Sequence, residues 1–201
     1  MSFKSGFVTI IGNPNVGKSS LFNAILNFEL SVVTHKSQTT RDSIKGILNT
    51  DNFQIVLSDT PGHVESSYLL HDKMNKNIYS SLEGSDLILY VTDVKEKVLN
   101  QKLIDAVLNL KIPIIYLVNK SDLDKNYKLL KNDFYKDMFL VSSNDKKDID
   151  KILNKIVEYL PEHPAFYSKE ELTDKNERFI VSEIVRGEIF KSFSQEVPYS
   201  T

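Results

Sequence analysis

Apolar positions along the chain fall into two alternating patterns. Short apolar runs stand at residues 7–11, 87–91 and 112–118, the last two unbroken, with a shorter one at 138–141. Such runs are expected of parallel strands covered on both faces. Two further β-like segments, 44–48 and 53–57, flank Thr50-Asp51-Asn52, and that polar triplet reads as a hairpin turn. Between the strands, helical spacing predicts helices at about 20–27, 72–83, 98–110, 125–135 and 147–159. Alternating strands and helices predict an α/β fold, a doubly wound and mostly parallel six-stranded sheet with flanking helices. Ligands in such sheets bind at the carboxyl ends of the strands.

The pattern changes at Pro161-Glu162-His163-Pro164, where two prolines end the last helix and open a linker. Ser168-Lys169-Glu170-Glu171 reads as a capping box. From about 178 to 193, Phe179, Ile180, Ile184, Val185, Ile189 and Phe190 form a helical stripe. The preceding domain offers this stripe no partner that the pattern accounts for. Gly187 within it costs about 1 kcal/mol relative to alanine. The chain therefore divides into residues 1–160, one α/β domain, and 161–201, a linker with a C-terminal helix extension.

Composition narrows the classes. The 201 residues are 41% hydrophobic, enough for one domain with a core. A net charge of −2 gives no global pull toward nucleic acid, so DNA is not an expected partner and any RNA-binding surface is local. With no cysteine there is neither a disulfide nor a thiolate metal site. No apolar run approaches the roughly 18–20 residues that span a bilayer. Met1-Ser2-Phe3-Lys4-Ser5 is too short for a signal peptide, which fits a cytoplasmic protein.

The chemistry sits at the predicted strand ends. Gly12-Asn13-Pro14-Asn15-Val16-Gly17-Lys18-Ser19 lies between the first strand and the first helix. This G-x-x-x-x-G-K-S spacing reads as a phosphate-binding loop that continues into Ser20. Its glycines let backbone N–H groups face phosphate oxygens, and the helix start adds its positive end. Lys18 supplies a point charge to the β- and γ-phosphates, and the Ser19 hydroxyl is a Mg²⁺ ligand. Asp59-Thr60-Pro61-Gly62 follows the third strand. The Asp59 carboxylate can hold Mg²⁺, usually through water, and the Gly62 N–H can meet a γ-phosphate.

Asn119-Lys120-Ser121-Asp122 follows the strongest apolar run. A carboxylate at Asp122 accepts two hydrogen bonds from guanine N1–H and its 2-amino group, and adenine offers neither, so GTP is expected over ATP. Asn119 can bond the base edge, and the Lys120 stem can cover the ring. A backbone N–H at Ser142 or Ser143 can reach guanine O6. Gln38-Thr39-Thr40-Arg41 lies between the first helix and second strand. A threonine hydroxyl there can complete the Mg²⁺ shell and let go after hydrolysis; Thr40 is the candidate, with Thr39 as the alternative.

Together G-x-P-N-V-G-K-S, Q-T-T-R, D-T-P-G and N-K-S-D resemble the translation-factor-related GTPases, and within them the Era group. The Era likeness also rests on Pro161-Glu162 with Pro164, Leu172-Thr173-Asp174, Glu177-Arg178-Phe179-Ile180-Val181, Glu183-Ile184-Val185-Arg186 and Glu196-Val197-Pro198-Tyr199-Ser200. These are similar to the join between a GTPase domain and an RNA-binding KH domain. The resemblance implies a bacterial GTP-hydrolysing switch that assists small ribosomal subunit assembly and contacts the 3′ end of 16S rRNA through the KH domain. It implies a cytoplasmic location, with peripheral association at the inner membrane as a second option. The chain stops at Thr201, where the KH sheet is expected to begin, and no G-x-x-G loop follows the helix. It is therefore expected to be truncated within the KH domain.

Three positions keep alternatives. Ser143 stands where the group usually has alanine. His63 follows D-T-P-G where an apolar residue is usual; it either places the attacking water, as in elongation GTPases with D-x-P-G-H, or is a solvated loop residue. Asn15 is a loop residue or a ligand for K⁺, as G-x-P-N GTPases often recruit that cation. His35, His71 and His163 share no metal-ligand spacing. Rival outputs are a related GTPase module in tRNA modification or transport regulation, and a GTP-dependent binding platform that scarcely hydrolyses.

Overall fold

A computed structural model describes residues 2–33, 43–62, 81–96, 101–124, 127 and 137–192. Six strands run as β1 (Lys4–Gly12), β2 (Ile44–Asn49), β3 (Phe53–Asp59), β4 (Leu87–Asp93), β5 (Ile114–Asn119) and β6 (Met138–Leu140). The helices are α1 (Lys18–Leu26), α2 (Gln101–Asn109), α3 (Lys146–Tyr159) and α4 (Glu177–Ser192). The helix expected at 125–135 and most of that at 72–83 lie outside the described residues.

The strands form one sheet in the order β2-β3-β1-β4-β5-β6. All neighbours are parallel except β2 and β3, the hairpin expected from the polar triplet. The Thr50 hydroxyl closes that turn by accepting from the N–H of Phe53 at 3.0 Å. β4 is buried at all seven positions, which explains its unbroken apolar run. On one face of the sheet the core includes Leu21, Phe22 and Ile25 of α1 with Ile149, Ile152 and Ile156 of α3. On the other it includes Leu103, Ile104 and Val107 of α2 with Tyr90 and Tyr116. This is the doubly wound arrangement, and register sets its functional edge. Ile10 lies opposite Asp59, Gly12 opposite Val91, and Asp93 opposite Asn119. Three motif-bearing strand ends, those of β1, β3 and β5, are thereby brought to one rim with the end of β4 among them.

The linker after α3 is stitched to the sheet. Gln54, fully buried in β3, accepts from the N–H groups of Phe166 and Tyr167 at 2.7 and 3.0 Å and donates to the Tyr167 carbonyl at 2.9 Å. Leu172 and Thr173 then run beside β2. Ile47 N–H donates to the Leu172 carbonyl at 2.9 Å, and the Thr173 hydroxyl donates to the Lys45 carbonyl at 2.6 Å. His163 stacks on Phe166 at 4.3 Å, and Phe166 in turn packs on Phe7. The capping-box expectation at 168–171 is corrected. Glu171 does reach the Ser168 N–H at 3.3 Å, but the chain makes a turn and no helix starts there. Pairing with β2 keeps residues 172–173 extended, so α4 begins at Glu177, where Asn176 Oδ1 accepts from the Phe179 N–H at 2.9 Å.

The stripe on α4 divides. Phe190 is buried, and Phe179 and Ile180 pack on the core, whereas Ile184 and Val185, with Val181 beside them, stay more than half exposed. Gly187 has a packing reason that periodicity does not show. A Cβ there would lie 2.9 Å from Val32 Cγ1, so the glycine lets the helix cross close to the segment after α1.

Candidate nucleotide site

Residues 12–19 link β1 to α1 in a tight loop. Gly12 takes φ 149°, and a Cβ there would strike the Val91 carbonyl. Gly17 takes φ 93°, and a Cβ would meet Asn119 Nδ2 at 2.3 Å. Asn15 adopts the left-handed region without being glycine, at φ 66°. Gly17 is also the N-cap of α1 and supplies no side-chain cap. The first-turn N–H groups are thus left for a partner outside the helix.

Lys18 is buried, and its Nζ donates to the Asn13 carbonyl at 2.8 Å. Burial pushes its ammonium down to about 8, against the opposing pull of Asp59 and Glu96. Ser19 Oγ donates to Asp59 Oδ2 at 2.7 Å, so strand register brings the two expected Mg²⁺ residues into contact across forty positions of sequence. A hydroxyl and a carboxylate form an all-oxygen pair suited to a hard cation that keeps much of its own water. Among the described residues no cluster of three or more His, Asp or Glu side chains is placed to hold a metal ion. Gly62 backs onto the loop, and a Cβ there would lie 2.7 Å from Pro14 Cα. The Thr60 hydroxyl ties this segment to the Ile10 carbonyl at 2.6 Å.

The segment from Asn119 to Asp122 is knitted into the loops around it. Asn119 is fully buried; its Nδ2 donates to the Val16 carbonyl at 3.0 Å, and its Oδ1 accepts from the Ser143 N–H at 3.1 Å. It ties two loops together with one of its two N–H groups and one lone pair of its oxygen. Lys120, at φ 61°, donates to the Asn15 carbonyl and pairs with Asp93 at 2.7 Å. Asp122 stays exposed, with its Oδ1 held by the Ser142 hydroxyl at 2.7 Å. The Ser142 N–H donates to Asp148 at 2.8 Å, so both serine N–H groups already have protein acceptors.

Two carboxylates at this rim carry no motif. Asp93 accepts from the N–H groups of Lys95 and Glu96 through Oδ1 while Oδ2 holds Lys120. Glu96 accepts from Asn13 Nδ2 at 2.7 Å and from the Thr92 hydroxyl. The rule that strand ends carry function would have flagged both. Thr39, Thr40, His63, His35 and His71 lie outside the described residues.

The family of 50S ribosome-binding GTPases matches residues 7–120. The GTPase Era of Clostridium perfringens is 38% identical over 98% of this chain and 70% of its own length. The chain belongs to the Era family of GTPases. Its fold agrees with a crystal structure of Era in complex with MgGDPNP and nucleotides 1506–1542 of 16S ribosomal RNA, at TM-score 0.88 and 31% identity over 98% of this chain and 70% of that one. A variant of Aquifex aeolicus Era bound to GDP·AlF4⁻ superposes equally well, at TM-score 0.88 and 30% identity over 98% of this chain and 71% of that one. The activity of this Era-family chain is therefore hydrolysis of GTP.

The Lys18 environment predicts how nucleotide binding by this Era-family protein depends on pH. Below pH 8 the lysine is already charged and contributes no pH dependence. Above it, the ligand-free lysine is neutral, whereas bound phosphate favours the ammonium, so binding takes up a proton. GTP affinity is expected to fall as pH rises above 8, approaching about tenfold per unit. Calorimetry in two buffers of different ionisation enthalpy should show proton uptake at a pH of about 8.5 and almost none at about pH 7. Equal affinities across that range would disprove it.

Proposed function

We propose that this Era-family GTPase is a GTP-driven switch that assists assembly of the small ribosomal subunit through 16S rRNA. One observation carries the reading. The likeness to the Era structure that contains 16S rRNA extends over 98% of the chain, so it takes in the linker and α4 as well as the GTPase fold. We further propose that residues 1–160 form the GTPase domain and that 161–201 hold the linker and the first helix of a KH-type RNA-binding domain. The exposed Val181, Ile184 and Val185 support this, since an apolar helix face of that kind calls for a covering surface.

In this reading the loop from Gly12 to Ser20 cradles the phosphates and Lys18 faces the β- and γ-phosphates. Ser19 and Asp59 hold Mg²⁺, Asp59 partly through water, and Thr40 joins them in the GTP state. The Era complex with MgGDPNP supports the cation. Mg²⁺, when bound, neutralises charge on the phosphates. The Gly62 N–H stands ready for the γ-phosphate, and Asp122 reads guanine beside Ser142 and Ser143. Asn119 and Lys120 act by fixing the loops around the nucleotide. Asn15 is the candidate K⁺ ligand, and His63 the candidate for placing water. Catalysis by this set is positioning and charge stabilisation, with no general base among the residues assigned.

Single-turnover GTP hydrolysis by the protein with and without purified small subunits tests the switch. Small subunits are expected to raise the rate at least about tenfold, and KCl to support faster turnover than NaCl at equal ionic strength. A rate indifferent to subunits would overturn the assembly role, and equal rates in the two salts would remove K⁺ from Asn15.

A further inference from the structure

Asp59 is gripped by two hydroxyls, and only one belongs to the phosphate-binding loop. Ser19 Oγ and Ser31 Oγ both donate to Asp59 Oδ2, each at 2.7 Å. Ser31 is buried at 5% exposure, follows α1, and falls in none of the motifs. Its place is set from α1 itself. Asn23 Oδ1 accepts from the N–H groups of Leu30 and Ser31 at 3.1 and 2.9 Å, and Asn23 Nδ2 donates to the Ser31 carbonyl at 2.7 Å. One side chain thus fixes both backbone polar groups of Ser31. The chain can return to α1 because Asn27 ends the helix in the left-handed region at φ 54°. The helix that presents Lys18 and Ser19 in its first turn therefore also holds, one turn later, the residue that grips the carboxylate opposite them.

We infer that Ser31 is a positioning residue for the Mg²⁺ carboxylate, held by Asn23 and acting through Asp59. The inference rests on the reading of Asp59 as a Mg²⁺ residue. A carboxylate that serves a metal must keep its rotation fixed, and outer hydrogen-bond partners supply that orientation. Two donors on the same oxygen remove the rotational freedom. Ser19 is itself assigned to the cation, so its hydroxyl serves two partners. Ser31 has no other assigned duty and is the constant donor. A merely structural serine would stabilise the protein equally with and without the cation; a positioning serine acts only when Mg²⁺ is present.

The test is the affinity of fluorescent GDP across a Mg²⁺ titration and in EDTA, for the wild type, Ser31→Ala and Asp59→Asn, with melting in EDTA to verify folding. Ser31→Ala is expected to raise the half-effective Mg²⁺ concentration about tenfold, at the low end for outer partners of a metal ligand. Its GDP affinity in EDTA should stay within about twofold of wild type. A midpoint unmoved by Ser31→Ala but shifted by Asp59→Asn overturns the role of Ser31 and leaves the site reading intact. An equal loss of affinity with and without Mg²⁺ marks Ser31 as structural and also overturns it. A Mg²⁺ dependence untouched by Asp59→Asn overturns the site reading, and this inference with it.

Discussion

Replacing Asp122 by asparagine is expected to weaken GTP binding by about four orders of magnitude and to create affinity for xanthosine triphosphate. The physical reason is a reversal of hydrogen-bond polarity at one position. A carboxylate accepts from guanine N1–H and the 2-amino group together. An amide places its own N–H₂ against one of those donors and leaves a polar group unpaired, which costs far more than a missing contact. Xanthine carries a carbonyl oxygen in place of the 2-amino group and so accepts from that amide. The carboxylate is already oriented, since Ser142 Oγ donates to its Oδ1 at 2.7 Å, and an asparagine oxygen can keep that bond. The change should therefore alter base preference without unfolding the loop. Competition binding with GTP, XTP and ATP measures it. GTP affinity within tenfold of wild type would remove Asp122 from base reading.

Removing the Lys18 ammonium is expected to lower kcat/KM for GTP by about three orders of magnitude. Lys18 is a buried cation whose charge is opposed by its own burial until phosphate arrives. A group of that kind contributes little to the empty fold and much to the complex. Lys18→Ala should therefore leave the melting temperature of the ligand-free protein within a few degrees of wild type and abolish most of the rise caused by GDP. A large loss of ligand-free stability, with the GDP-induced rise retained, would mean that its bond to the Asn13 carbonyl is its main role.

The parts of the site legible in the sequence share a physical character. The phosphate-binding loop is one contiguous stretch in which glycine spacing, lysine and serine must act together, so its chemistry survives translation into a string of letters. The hairpin at Thr50 was legible because a polar triplet between apolar runs closes on itself. Asp122 is assigned from the N-K-S-D spacing after a buried strand, a contiguous pattern of the same kind. The capping box at 168–171 misled because its local bonds form as expected, yet the next residues are claimed by the edge of β2. Tertiary pairing overrides a local start signal in that way.

Asn119 and Lys120 show the same limit in the opposite direction. The motif marks them as important but does not say to what they bond. The partners of Asn119 are Val16 and Ser143, and those of Lys120 are Asn15 and Asp93. Each pair joins segments far apart in the chain, and nothing in residue spacing encodes such a pair.

The sequence alone determined the fold class, the nucleotide, the base and the family, because each rests on short contiguous patterns set by backbone geometry and hydrogen-bond polarity. Only the tertiary structure decided the rest. Register brought Asp59 to Ser19, Asn23 folded Ser31 back onto that carboxylate, Gln54 captured the linker, and Gly187 let α4 cross Val32. These contacts depend on which distant elements the packed sheet makes neighbours, and that adjacency is a property of the fold rather than of any local stretch.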